Sequence, residues 1–266
     1  MKLMVFDTET TGLPEKRNSS IYNTNEWPHI IQLSYVIYDM EENTLEIIDD
    51  YIDIPENVII TPDSAKIHGI TRKICKEKGI TIDAALEKFI NNLNKSSIII
   101  GHNISFDKRM IMVEGIRNKK QIHMKKIDDY CTMKNSIDIC CIEKVNDAGE
   151  KYFKYPRLSE LHKHYFNTEP KNTHNAIVDV LICFKCLLVK IMRIIFAIIL
   201  SVILPFQVAM AEGKGALVKK IEVKNNQRVE VATILSYMSI KVGDRFDHDK
   251  VNESLKEMYN TELFSN

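Results

Sequence analysis

Cysteine is missing from the end of this chain: all six cysteines lie at or before Cys186, and none follows. A reduced, intracellular first part is the simplest account of Cys75, Cys131, Cys140, Cys141, Cys183 and Cys186. Cys183 and Cys186 form a C-x-x-C, but no second pair or nearby His completes a zinc set, so they read as core cysteines on one helical stripe. Net charge is also missing: 36 Lys+Arg balance 36 Asp+Glu, which excludes a global polycation. The first fifty residues are nevertheless locally acidic, and residues 101–190 are mildly basic. No internal repeat, low-complexity tract or Gly/Ser/Pro-rich linker interrupts the chain.

What is present supports a real core. The 266 residues, 45% of them hydrophobic, suffice for one large domain or a medium domain plus a small one. The apolar run "KLMVF" (2–6) predicts a buried strand, and "HIIQLSYVIYD" (29–39) and "TLEIIDDYIDI" (44–54) predict two more joined by a turn at "MEEN". Residues 81–93 have helical spacing, with Thr81 or Asp83 as cap. "SSIIIG" (96–101) and residues 127–133 read as strands, and residues 105–116, 155–166 and 173–191 as helices. Three opening strands followed by alternating helix and strand predict an α/β domain with a mixed sheet.

Three blocks carry chemistry. In "FDTETTG" (6–12), Asp7 and Glu9 stand at the exit of a buried strand, where residues two apart point the same way. Two converging carboxylates call for a cation, and oxygen ligands suit Mg²⁺ or Mn²⁺; alone, the pair reads equally as solvated loop acids. In "GHNISFD" (101–107), Asp107 follows an apolar strand near a helix start, where it could also serve as an N-cap. In "HNAIVD" (174–179), Asp179 lies on an otherwise apolar helix face beside Val178, Ile182 and Cys183, and needs a partner or a metal. Together they offer four carboxylates and His174, the set that two metal ions about 4 Å apart would require. His174, with an ordinary pKa near ~6.5, is suited to take a proton from water.

In order, spacing and residue type, these blocks resemble the three motifs of the DEDDh family, the DnaQ-like 3′–5′ exonucleases of ribonuclease H-like fold. The resemblance covers residues 1–188, and "KIHGIT" (66–71) adds to it. It implies a mixed central sheet over residues 1–190 and two bound Mg²⁺ or Mn²⁺ ions. Asp7 would bridge both ions, Glu9 and Asp179 would complete the first site, Asp107 would serve the second, and His174 would be the general base. It implies contacts to the terminal nucleotide from Thr10, Gly12 and Leu13, and to the strand from His102, Asn103 and Phe106, with His68 near the last base. Phe106 reads equally as a stacking platform or as core. The implied partner is a single-stranded or frayed 3′ end of DNA or RNA.

The segment "MRIIFAIILSVILPFQVAMAEG" (192–213) breaks the pattern. Residues 194–211 carry no charge, enough for a short membrane span. The segment also divides as a signal peptide, with Met192–Arg193, an apolar run closed by Pro205, and "AMA" (209–211) as a cleavage site. Residues 216–266 predict a strand at Leu217, Ile221 and Val223, then helices through Val231–Met238 and Val251–Tyr259. This tail resembles the truncated first POTRA domain of an outer-membrane β-barrel assembly factor, a binding scaffold, and its single strand cannot make a sheet by itself. The expected organisation is therefore an exonuclease domain (1–190), a signal-peptide-like or transmembrane hydrophobic segment (192–211) and a partial POTRA-like domain (216–266). The nuclease domain is expected to be cytoplasmic; a whole chain could be anchored in the inner membrane with its tail exported. An evolved fusion usually leaves a linker; its absence favours an artefactual or recent join. An artefactual join predicts that no single sequencing read of the source nucleic acid spans codons 185–200; continuous in-frame reads would establish the fusion.

Overall fold

The computed structural model describes residues 1–16, 18–203, 216–223 and 230–260. The chain opens with three antiparallel strands, β1 (Lys2–Thr10), β2 (Ile30–Asp39) and β3 (Thr44–Asp53). Two short helices follow, α1 (Pro62–His68) and α2 (Arg72–Lys78), then β4 (Ile80–Thr81) and α3 (Ile82–Leu93). Next come β5 (Ile98–Gly101), α4 (Ile104–Arg117), β6 (Asp128–Cys131) and α5 (Ile137–Cys140). A hairpin of β7 (Glu143–Val145) and β8 (Lys151–Phe153) leads to α6 (Leu158–Phe166) and α7 (Ala176–Ile203). The tail contributes β9 (Lys220–Val223), α8 (Val231–Ser236) and α9 (His248–Asn260).

The main sheet runs β4-β3-β2-β1-β5-β6, with β1 at its centre. β1 pairs antiparallel with β2 and parallel with β5, so the sheet is mixed as expected. Strand alternation sorts the residues between two faces. Met4, Phe6, Leu33, Tyr35 and Ile48 pack with Phe89 of α3 and Met110 of α4. Leu3, Val5, Val36 and Ile100 pack with Val180, Cys183, Phe184 and Leu187 of α7. Cys183 and Cys186 are buried and, like the other four cysteines, free thiols.

Several expected boundaries shift for local reasons. The first strand does not stop at Phe6 but continues through Asp7 and Glu9 to Thr10, because Asp7 and Glu9 stay paired with Ser34 and Gln32 of β2. Thr81 is the cap of α3 and accepts the Ala84 N–H at 3.3 Å. Asp107 is not a cap: Asn103 fills that position at φ 70°, and Asp107 sits a turn further in. The helix expected over 173–191 begins at Ala176, after His174 has turned the backbone to φ 69°, and runs on to Ile203. Among the described residues no helix is long and apolar enough to cross a membrane. Residues 204–215, with the expected cleavage site, lie outside the described residues. The tail strand does find a partner: β9 pairs parallel with β3, Thr44 opposite Lys220 through Ile47 opposite Val223. Asn43 Nδ2 reinforces this by donating to the Leu217 carbonyl at 3.0 Å.

Phe89 joins α3 to the sheet, its ring edge-on to Phe6 at 5.3 Å and to Tyr35 at 5.4 Å. Phe89→Ala is expected to cost about 3–5 kcal/mol of stability, read as a lowered midpoint in chemical denaturation; an unchanged midpoint would contradict this packing.

Candidate active site

The acidic side chains meet at the carboxyl end of β1. Asp7 and Glu9 project toward the α7 side of the sheet, and Asp179, in the first turn of α7, approaches from that side. One oxygen from each of Asp7, Glu9 and Asp179 lies within 4.8 Å of the others. Asp107 comes from α4, packed on the opposite face, and is held by Thr8: its Oδ1 accepts the Thr8 N–H at 3.1 Å and the Thr8 Oγ1 hydroxyl at 2.7 Å. Asp107 is thus beside the triad rather than part of it.

Like charges in a half-buried site resist ionisation. Burial, then the Asp179 and Asp107 charges, push Glu9 up from 4.5 to about 9. Burial raises Asp107 to about 7 and Asp179 to about 6. Asp7 is raised well above the ordinary value, first by burial and then by Asp107, Asp179 and Glu9. Asp179 Oδ2 accepts the His174 N–H at 3.1 Å. Its Oδ1 is buried with no hydrogen-bond partner among the described residues. An orphaned carboxylate oxygen beside two more carboxylates fits a divalent cation, which would supply the missing ligand and offset the repulsion.

Loops hold the rim. Thr10 Oγ1 donates to the Gly12 carbonyl at 2.7 Å, and the Thr11 N–H donates to His29 O at 2.9 Å while Thr11 Oγ1 accepts the His29 N–H at 2.9 Å. Gly12 lies close under α1's cap, where an added Cβ would meet Thr61 Cγ2 at 3.1 Å. Leu13 is 81% exposed. A cleft of about 440 Å³ beside this loop is lined by Thr11, Trp27, His29, Val58, Ile59 and Arg117, among others. His68 accepts the Ile70 N–H on Nδ1 at 3.0 Å, and its other ring nitrogen, Nε2, is buried beside the Thr10 backbone. Burial holds His68 below its ordinary pKa, a hydrogen bond to the Thr10 backbone opposes this, and the nearby His174 adds to the lowering.

The other predicted site residues fall in different surroundings. His174 is exposed, in a left-handed conformation uncommon outside glycine. Both ring nitrogens of His102 are used inside the protein, by Thr132 Oγ1 at 3.0 Å and the Pro156 carbonyl at 3.0 Å, and burial lowers its pKa to about 4. His102 therefore braces β5 against the segment leading into α6. Asn103 is exposed, and Phe106 is half-buried against the main core. Sequence reasoning missed Thr8 and Gln32. The signal for Gln32 was a polar residue within the apolar run "HIIQLSYV"; Thr8, between two acids, carried none.

Comparison with known proteins adds family to geometry. Residues 4–187 match the RNase_T family model, described as Exonuclease, and residues 216–266 match the POTRA model, described as Surface antigen variable number repeat. Over 185 residues the chain is 30% identical to the DNA polymerase III subunit epsilon of Buchnera aphidicola subsp. Schizaphis graminum, covering 69% of this chain and 72% of that protein. Its fold is similar to that of E. coli Exonuclease I in complex with a dT13 oligonucleotide, at TM-score 0.53 and 19% identity over 72% of this chain. The complex of Exonuclease I with dA16 gives 0.51 at 18% identity over 68% of this chain. The chain spans only 41% and 39% of those two structures.

The raised carboxyls fix the sign of a pH effect. The folded, metal-free site keeps protons that the unfolded chain releases near ordinary values, so stability falls as pH rises from about 4.5 toward about 9. Thermal melts in chelator should show this decline, and Glu9→Gln should flatten it. At pH 8 a divalent cation at a hundredfold excess over its Kd should restore about 2.7 kcal/mol. Melts that are flat with pH and indifferent to the cation would contradict the site.

Proposed function

The chain belongs to the exonuclease family, and from that premise we propose that it removes nucleotides from the 3′ end of single-stranded or frayed DNA, releasing 5′-mononucleotides by a two-metal mechanism with a His general base. The observation that carries this reading is the convergence of Asp7, Glu9 and Asp179 within 4.8 Å, with one Asp179 oxygen buried and unpartnered. The DNA preference is supported by the relatives, a DNA polymerase subunit and an exonuclease bound to deoxyoligonucleotides.

In this reading Asp7, Glu9, Asp179 and Asp107 would hold two divalent cations, Mg²⁺ or Mn²⁺. Bound there, the cations would supply positive charge to the scissile phosphate and acidify an attacking water. Thr8 holds Asp107 in place through its two hydrogen bonds to Oδ1. His174 takes the water's proton on a ring nitrogen. The water oxygen forms a bond to the terminal phosphorus, the bond from phosphorus to the penultimate 3′ oxygen breaks, and that oxygen leaves to be protonated from solvent. The His174 N–H bond to Asp179 ties the base to the acidic cluster.

The rim places the strand. Thr10, Gly12 and the exposed Leu13 would meet the terminal nucleotide, with Leu13 offering an apolar wedge to a base. His68 would approach the same base from beside Thr10. Asn103 and Phe106 would lie along the strand, and His102 would act there by holding the backbone.

The test is a 3′-labelled single strand with the full chain. Mg²⁺-dependent release of 5′-mononucleotides is expected, abolished by chelator and by Asp7→Ala. His174→Ala is expected to slow release by about 10²–10⁴-fold. Release without metal, or surviving Asp7→Ala, would overturn the mechanism.

A further inference from the structure

Gln32 is a fully buried polar side chain on β2, directly opposite Glu9 in the ladder with β1. Its Nε2 donates to Asp49 Oδ1 on β3 at 2.8 Å and reaches Asn175 Oδ1 at 3.4 Å. Its Oε1 accepts the Ala176 N–H at 3.2 Å. The same Asp49 oxygen accepts the Ser34 hydroxyl at 2.6 Å, and Ser34 stands opposite Asp7.

The donor and acceptor pattern explains why a carboxamide stands here. A carboxylate on one side can only accept, and a backbone N–H on the other can only donate. The group between them must donate one way and accept the other. Asn175 and Ala176 are the two residues that immediately follow His174, and the Asn175 carbonyl accepts the Asp179 N–H at 3.0 Å. Gln32 therefore grips the start of α7 between the two residues that this helix end brings to the site.

We propose that Gln32 is a positioning residue. Linked to β3 through Asp49, it fixes the start of α7 and so sets His174 and Asp179 against Asp7 and Glu9. The proposal rests on the exonuclease reading, because that reading gives His174 and Asp179 their roles. A side chain that merely satisfied the Ala176 N–H would affect stability without a selective effect on turnover.

The test compares steady-state kinetics of the full chain on a 3′-labelled DNA strand for Gln32→Glu, for Gln32→Glu with Asp49→Asn, and for Asp7→Ala. Gln32→Glu sets two carboxylates face to face. Its kcat is expected to fall about 10–100-fold with KM within about threefold, since Gln32 would not touch the strand. In the double variant the new amide at position 49 can donate to the new carboxylate at position 32, which still accepts the Ala176 N–H. Recovery of at least about tenfold in kcat is expected from that exchange. Unchanged kcat in the single variant, a loss expressed in KM, or a double variant no better than the single one would overturn the proposal. Should Gln32→Glu fail to fold, Gln32→Met preserves volume without adding charge. It is expected to lose about tenfold in kcat, and wild-type kcat in it would overturn the proposal. Wild-type release by Asp7→Ala would sink the exonuclease reading itself; with Asp7→Ala inactive, wild-type kcat in the Gln32 variants sinks only the positioning role.

Discussion

The burial of four carboxyl groups in one place is the constraint around which this fold is arranged. Asp7, Glu9 and Asp179 each bring an oxygen within 4.8 Å of the others, and Asp107 adds a fourth acid from across the sheet. Holding them requires stiff supports on every side. β1 is the central strand, fixed by β2 on one edge and β5 on the other. α7 is pressed onto the sheet by Val180, Cys183, Phe184 and Leu187. Thr8 restrains Asp107, and the His174 backbone restrains Asp179. The apolar layers are thus the frame that keeps an unfavourable cluster of buried acids assembled.

Most of that frame was readable beforehand. The strands through residues 30–39 and 44–53, the helix capped by Thr81, and the mixed sheet all follow from apolar periodicity and turn chemistry. The short helices α1 and α2 were not foreseen: neither seven-residue stretch has enough turns to show a period, and Thr61 and Thr71 caps define them instead. The hairpin β7–β8 escaped notice because its strands are only three residues long and exposed at every position, leaving no buried alternation.

The site was legible in its acids and less so in their supports. Asp7 and Glu9 share one face of β1, as their i, i+2 spacing indicated, and Asp179 brings an oxygen within 4.8 Å of theirs. Asp107 looked like a cap because aspartate commonly fills that place, yet the left-handed Asn103 occupies it and frees Asp107 to meet Thr8. His102 looked like a strand contact, but its ring is spent on Thr132 and Pro156. Such pairings join residues 30 and 54 positions apart, a separation that local pattern does not encode.

The β3–β9 pairing has a consequence for the order of events during synthesis. A strand hydrogen-bonded into one sheet is subtracted from any other. The exonuclease body leaves the ribosome first and presents a ready-made edge at Thr44–Ile47 before Lys220–Val223 has been translated. The late strand then meets a finished template. Precedence in time, rather than strength of pairing, would decide which sheet it joins.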